Sequence, residues 1–250
     1  MSTKLKKILF TAGSIIFWIL LWHIAATKAN KELLYDIPLP LQTFKELINC
    51  IKLSEFWEAV LNSLSHICIG FIFAVIFGLI CGILSGNSLF FKTLTGPVAR
   101  LMRSVPVAAL IILGWLWIPS ETMPSFIVFV MVLPIIWLQI ETALLSIDYR
   151  LIEMAKTMGM SNFDIVKNIK FPTILPAFRE SAITGLGFAW KSGVAAEVLC
   201  NPTGSLGAML SNAKANIEYA RVFAIIAMII LLSVIMENII KLLWKERRYD

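Results

Sequence analysis

Apolar and polar positions along this chain fall into long blocks. Six apolar stretches stand out, at residues 8–27, 60–84, 104–119, 122–146, 181–199 and 222–243. A helix needs roughly 20 apolar residues to cross the hydrocarbon layer of a bilayer, so the pattern predicts six membrane-spanning helices. The third stretch is short, and its first turns reach back towards Gly96 and Pro97. Along the second, Gly70, Ala74, Gly78, Gly82 and Gly86 recur every four positions. That spacing lays a smooth stripe on one helix face, where another backbone can come close. The neighbour is either a span of the same chain or a second subunit. Pro106 and Pro134 fall within the third and fourth stretches, where a missing amide donor bends a helix. Bent spans often line a transporter's pathway, although bends also serve packing alone.

The polar blocks are unequal. Residues 28–59 carry charges of both signs and the turn-prone Ile37-Pro38-Leu39-Pro40; from Leu41 to Ile51 the apolar spacing suits a short amphipathic helix at the interface. Residues 1–59 are thus read as an anchor helix with an external segment, 60–243 as the membrane core, and 244–250 as a tail. No repeat and no Gly/Ser-rich linker divides the chain.

Composition agrees with a lipid solvent. The chain is 58% hydrophobic and only 15% charged, with a mean hydropathy of +0.82, and a soluble domain of this size cannot wet such a surface. The net charge of +6 raises the question of nucleic acid, but its distribution answers it. With the N-terminus inside, fifteen of the 22 Lys and Arg fall in the inner segments, six in the outer ones, and Lys191 within a span. This is the positive-inside bias of a multi-pass membrane protein with both termini cytoplasmic. The first stretch follows a basic start and ends in Ala25-Ala26-Thr27, like a signal peptide; its length and its Trp18 and Trp22 favour a retained anchor. Cys50, Cys68, Cys81 and Cys200 show no metal-ligand spacing. An external Cys50–Cys200 disulfide is possible without being indicated.

One inner segment is organised like a folded surface, Glu153 to Pro176, EMAKTMGMSNFDIVKNIKFPTILP. Leu151, Ile152, Met154, Ala155 and Met158 form an apolar face on a short helix that Gly159 can end in a left-handed turn. Ser161 with Asp164 three residues on reads as the capped start of a second helix. Phe163, Ile165, Val166 and Ile169 give it an apolar face, and Pro172 and Pro176 are expected to close it before the fifth span. Short helices with apolar faces outside lipid need a protein to cover them. The segment is therefore a docking element for a cytoplasmic partner.

Here the sequence resembles the permeases of ATP-binding-cassette (ABC) importers. Glu153-Met154-Ala155, Gly159 and Ile169-Lys170-Phe171-Pro172 look like their EAA loop, with Met154 in place of Ala and Phe171 in place of Leu. Ser63-Leu64, Gly70-Phe71, Arg103-Ser104-Val105-Pro106, Leu175-Pro176 and Gly187-Phe188-Ala189-Trp190 through Ala196-Glu197 are similar to the sulfonate, taurine and nitrate branch. His66 stands where that branch is expected to show Arg, and its Trp-Phe-Gly is blurred into Trp115-Leu116-Trp117-Ile118-Pro119. The resemblance implies an all-α, type I (MetI-like) permease with six transmembrane helices and a cytoplasmic coupling loop. It further implies a place in a bacterial inner (plasma) membrane, two permease copies, cytoplasmic ABC ATPase subunits and an extracytoplasmic solute-binding protein. Glu153, Ala155, Gly159, Ile169 and Pro172 would couple to the ATPase. No cofactor is expected in the chain, which has no GxxxxGK[ST] phosphate cradle of its own; ATP-Mg would be bound by the partner, and the chain itself would be no enzyme. The substrate would be small, anionic and sulfonate-, taurine- or nitrate-like; a pyrimidine-type vitamin precursor is the alternative.

Two charges lie within the fifth stretch, Lys191 near its middle and Glu197 six residues on. Charges in lipid are costly and face protein or water, and six residues correspond to about 600° of helix, so the two do not obviously pair. Glu141 or Glu237 is a possible partner for Lys191, as an interhelical ion pair; the functional reading is a positive pathway residue. Pro106, Pro134, Lys191 and Glu197 are the pathway candidates. His66 reads as a packed or interfacial residue. An ion-coupled secondary transporter would also be hydrophobic and many-spanned, but would need no capped docking pair and would usually carry more midplane carboxylates. An enzyme is disfavoured by only two histidines and no metal or nucleophile constellation.

Overall fold

The structure is a computed structural model that describes residues 3–32 and 36–243. Among them every regular element is helical: α1 (Thr3–Glu32), α2 (Pro40–Lys52), α3 (Ser54–Asn87), α4 (Leu89–Ser104), α5 (Val107–Gly114), α6 (Met123–Leu145), α7 (Tyr149–Thr157), α8 (Asn162–Ile165), a π-helical segment (Val166–Lys170), α9 (Phe171–Cys200), α10 (Leu206–Ala215) and α11 (Tyr219–Leu243). Lys245, Arg247 and Arg248, which contribute to the inner positive charge, lie outside the described residues.

Among the described residues three helices are long and apolar enough to cross a membrane: α3, α6 and the stretch Tyr219–Ile239 of α11. The α4–α5 pair is a fourth if it acts as one span, bent by 101°. Pro106, expected to bend the third stretch, breaks it outright, and residues 104–119 are divided between the end of α4, α5 and the turns that follow. Pro106, which has no amide hydrogen to donate, caps α5, and the chain is extended at Val105 and Pro106. After Gly114 the chain leaves the helix in tight turns. α9 is long, 30 residues, but Arg179, Glu180, Lys191 and Glu197 make it the most polar of the long core helices.

The core is built on the small-residue stripe of α3, and the neighbour it receives is α6 of the same chain. A Cβ on Gly70 would sit 2.3 Å from the Ser125 carbonyl oxygen, and one on Gly82 2.8 Å from that of Trp137. Only glycine allows this approach. Contact positions advance together, Gly70 with Val128, Gly78 with Ile136, Gly82 with Ile140 and Gly86 with Leu144, so α3 and α6 run parallel. α9 runs the other way: Ser63 meets Glu197, and Gly193 meets Ile67. Ile67, Val128, Val132, Ile136, Ala189 and Trp190 fill the space between the three helices. The Trp137 indole donates to Ser85 Oγ (2.9 Å) and the Trp190 indole to the Ile229 carbonyl (3.0 Å), which pins α6 to α3 and α9 to α11. The amphipathic helix expected over 41–51 is α2, with Cys50 buried. Burial pushes the Cys50 thiol above its ordinary range, helped by nearby Glu46. All four cysteines are free thiols.

Candidate functional site: a capped handle, a buried junction and a cationic cleft

The handle follows α6. Asp148 caps α7 by accepting from the Arg150 amide at 2.9 Å. α7 ends where Gly159 takes φ +80, a left-handed conformation that costs a side-chain-bearing residue about 1–2 kcal/mol. There the Met160 amide bonds back to the Ala155 carbonyl (3.0 Å). Ser161 then starts α8. Its Oγ accepts from the Asp164 amide (3.2 Å), its own amide donates to Asp164 Oδ2 (3.2 Å), and its hydroxyl donates to the same oxygen (2.6 Å). These reciprocal bonds are the capping box that the sequence pattern predicts.

The apolar residues of the handle divide into two sets. Ala155 and Ile165 are buried, whereas Met154, Met158, Phe163 and Val166 are 50–77% exposed. Glu153, Gly159 and Pro172 are exposed and Ile169 is half-buried. Thus Glu153 and Gly159 stand on the open surface and Ala155 holds the handle together.

Pro172 and Pro176 do not close the second helix. The chain runs from α8 through Val166–Lys170 into α9 without leaving helical geometry. The Phe171 amide reaches back five residues to the Val166 carbonyl, and this wider π turn lies immediately before Pro172. It relieves the clash between a proline ring and the carbonyl four residues earlier, which in an α-helix would force a break. Residues 162–200 therefore form one rod, roughly 55 Å long. The Lys170 ammonium donates to Asn87 Oδ1 at the end of α3, tying the rod to the core near its inner end.

The C-terminal end of that rod holds the most polar point of the core. Glu197 is fully buried. Its Oε2 accepts from Ser63 Oγ (2.7 Å) and the Gly207 amide (3.1 Å), and its Oε1 lies 3.0 Å from His66 Nδ1. With the carboxylate ionised, that geometry needs the proton on Nδ1. Ser63 Oγ also accepts from the Leu206 amide (2.9 Å), and the His66 carbonyl accepts from Ser125 Oγ (2.9 Å). One carboxylate thus ties α3, α9 and α10 together, with α6 attached through Ser125. His66 is packed, as its sequence context suggests. Glu197, a pathway candidate by sequence, is held here as a junction between helices. Sequence reading singled out His66 and Glu197 separately; the signal for joining them was two lone ionisable residues near the outer ends of two apolar spans.

Lys191 is elsewhere on α9. It is exposed, and among the described residues it forms no ion pair. Glu141, one of its expected partners, instead faces Lys92 at 3.9 Å, and the Glu237 carboxylate lies over Gly187. The open positions of α9 recur as Glu180, Thr184, Phe188, Lys191 and Ala195, a single stripe at helical spacing. Beside its lower half lies a cleft of about 430 Å³ between the end of α4, α6 and α9, bounded by Arg103, Pro134, Gln139, Thr142, Thr184 and Phe188 among others. Pro134 is therefore a wall of this cleft, and Pro106 is the hinge of the α4–α5 bend above it.

A helical body built for lipid, with a capped handle projecting from it, defines a multi-pass membrane transport component. The chain belongs to the family of binding-protein-dependent transport system inner membrane components, whose model matches residues 74–249. It is 25% identical over 238 residues to the taurine transport system permease protein TauC of Escherichia coli (93% of this chain, 86% of that protein). It is 26% identical over 219 residues to the nitrate import permease protein NrtB of Synechocystis (79% and 74%). It is 24% identical over 247 residues to a putative aliphatic sulfonates transport permease protein SsuC of Bacillus subtilis (97% and 86%). Its fold matches a bacterial alginate ABC transporter chain (TM-score 0.62, 15% identity, 99% of this chain and 98% of that one). It also matches the inward-facing MetNI methionine ABC transporter (TM-score 0.61, 20% identity, 75% and 92%). The chain is an ABC-importer permease subunit, a transport component and not an enzyme.

Proposed function

We propose that this chain forms the membrane pathway for a small anionic solute of the sulfonate, taurine or nitrate kind. An extracytoplasmic binding protein delivers the solute, and a separate cytoplasmic ATPase, which binds ATP-Mg, drives import. The observation that carries the reading is the handle, which is capped at both helices yet leaves Met154, Met158, Phe163 and Val166 uncovered. An ATPase groove covers that face, with Glu153 and Gly159 at the contact, Ala155 holding the two helices together, and Ile169 and Pro172 leading into α9. The named relatives support the solute class, as does Lys191 on an open face of α9.

The reading includes six spans: α1, α3, the bent α4–α5 pair, α6, α9 and α11. Parallel packing of α3 and α6 supports counting the bent pair as a crossing, since the chain must return to the outer side between them. Both termini are then cytoplasmic, as the positive-inside bias requires, and two copies enclose the pathway. ATP closure moves the docked handles, and the spans exchange between inward-open and outward-open arrangements, biased by nucleotide and by the loaded binding protein.

Affinity purification of the chain from its native membrane tests this. A co-purifying P-loop ATPase is the expected result. Uptake that persists without any ATPase, driven by a proton or sodium gradient, overturns the reading in favour of a secondary transporter.

A further inference from the structure

We infer that the cleft between α4, α6 and α9 is an oxyanion-binding subsite on the inner half of the pathway, with Arg103 as its cation and Gln139 and Thr184 as its neutral donors. The inference rests on the permease reading above and adds where, and by which groups, an anionic solute is held before release.

The chemistry of the walls carries it. Arg103, Gln139, Thr142 and Thr184 supply the polar groups of the cleft, and no carboxylate borders it. Thr142 spends its hydroxyl proton on the Leu138 carbonyl at 2.7 Å. Among the described residues the Arg103 guanidinium, the Gln139 amide and the Thr184 hydroxyl meet no protein acceptor, and Arg103 meets no acid. A guanidinium with neutral donors and no competing negative charge is complementary to a planar or tetrahedral oxyanion, which it can bind through two parallel hydrogen bonds. All four polar side chains are exposed on this open cleft, and polar groups gathered on a cleft of an otherwise apolar bundle mark a solute route.

The placement agrees. On α6 the cleft runs from Met131 to Thr142, about 16 Å of helix, from the middle of that span towards the end that leads to the handle. On α9 it is bounded by Thr184 and Phe188, and Lys191 continues the same stripe one turn farther out. A solute passing along the open stripe of α9 therefore meets Lys191 and then the cleft that Phe188 and Arg103 line together.

Charged thiol reagents test the subsite without knowledge of the natural solute. Thr184→Cys is introduced in the purified full-length chain, with Cys50, Cys68, Cys81 and Cys200 replaced by alanine. Its labelling rates with the anionic sulfonatoethyl and the cationic trimethylammonioethyl methanethiosulfonates are compared with those of a free thiol. The anionic reagent is expected to be favoured. Arg103→Gln should lower that preference about tenfold, the effect of one nearby charge in a partly dry site, while Arg103→Lys should keep most of it. Ethanesulfonate should slow labelling and neutral ethanesulfonamide should not. A preference unchanged by Arg103→Gln, a preference for the cationic reagent, or protection by both solutes or by neither overturns the subsite. The assay needs neither nucleotide nor partner. Its failure leaves the permease reading standing, and the absence of a co-purifying ATPase leaves the cleft standing.

Discussion

His66 and Glu197, 131 residues apart in the chain, meet at 3.0 Å where α3 packs against the C-terminal end of α9. The carboxylate has no water contact and serves three donors at once. Removing it strands two side chains and one amide in a dry place. Glu197→Ala should therefore destabilise the protein by roughly 3 kcal/mol, the order found when a buried charge loses its partner. Thermal unfolding in lipid nanodiscs reads this directly. His66→Arg, which restores the residue expected in the sulfonate and nitrate branch, should retain the melting temperature, since a guanidinium can reach the same oxygen. Loss on both substitutions alike would mean that the ring's shape, and not its bond to Glu197, matters.

The α3–α6 seam makes a second, purely steric prediction. Gly82→Leu drives a side chain into the Trp137 carbonyl and the Ile140 side chain, and overpacking of this kind costs about 1–3 kcal/mol or more. Gly13, which has nothing within 4 Å, is the control. Gly13→Ala should be neutral or slightly stabilising, because alanine is the better helix former by roughly 0.5–1 kcal/mol. Expression level and melting temperature of the two variants should diverge.

Coupling through the handle should be separable from folding. Gly159→Pro cannot adopt the positive φ at the end of α7, and Glu153→Lys reverses a charge on the open face. Both should abolish uptake in intact cells while the protein still reaches the membrane at normal levels. Normal uptake by both variants would remove the handle from the mechanism.

Lys191→Met keeps the length of the side chain and deletes its charge. If the α9 stripe carries an anion, uptake of a sulfonate should fall by about tenfold, the factor expected for losing one partly screened charge contact. Transport of a neutral solute by the same variant should be unchanged. Equal rates for the sulfonate in wild type and variant would make Lys191 a bystander.

What could be read in the sequence was local, and what could not was distant. The Ser161–Asp164 box and the Gly159 turn were legible because each is completed within three or four residues. The stripe from Gly70 to Gly86 announced a close neighbour but not its identity, which depends on α6 arriving parallel after an intervening bend. A bend at Pro106 was legible but its sharpness was not, because Val105-Pro106 interrupts an apolar run without adding polarity. Pro172 and Pro176 pointed to a helix end for the ordinary reason that proline ends helices. The π turn at Val166–Lys170 overrode it, and π turns leave no compositional trace. The junction at Glu197 was not legible, because its partners come from α3 and α10, far away in sequence. The cleft was legible only in part, since Pro134 was singled out from sequence and Gln139 and Thr184 were not.

The unbroken run from Asn162 to Cys200 has a bearing on timing. With no clutch between the handle and the Glu197 junction, a stroke delivered by the proposed ATPase would reach the far end of α9 almost undamped. Reluctance of that end to move would be felt in turn by the motor. On that reading idle ATP turnover is restrained by stiffness alone, and softening the rod should make the engine race without cargo.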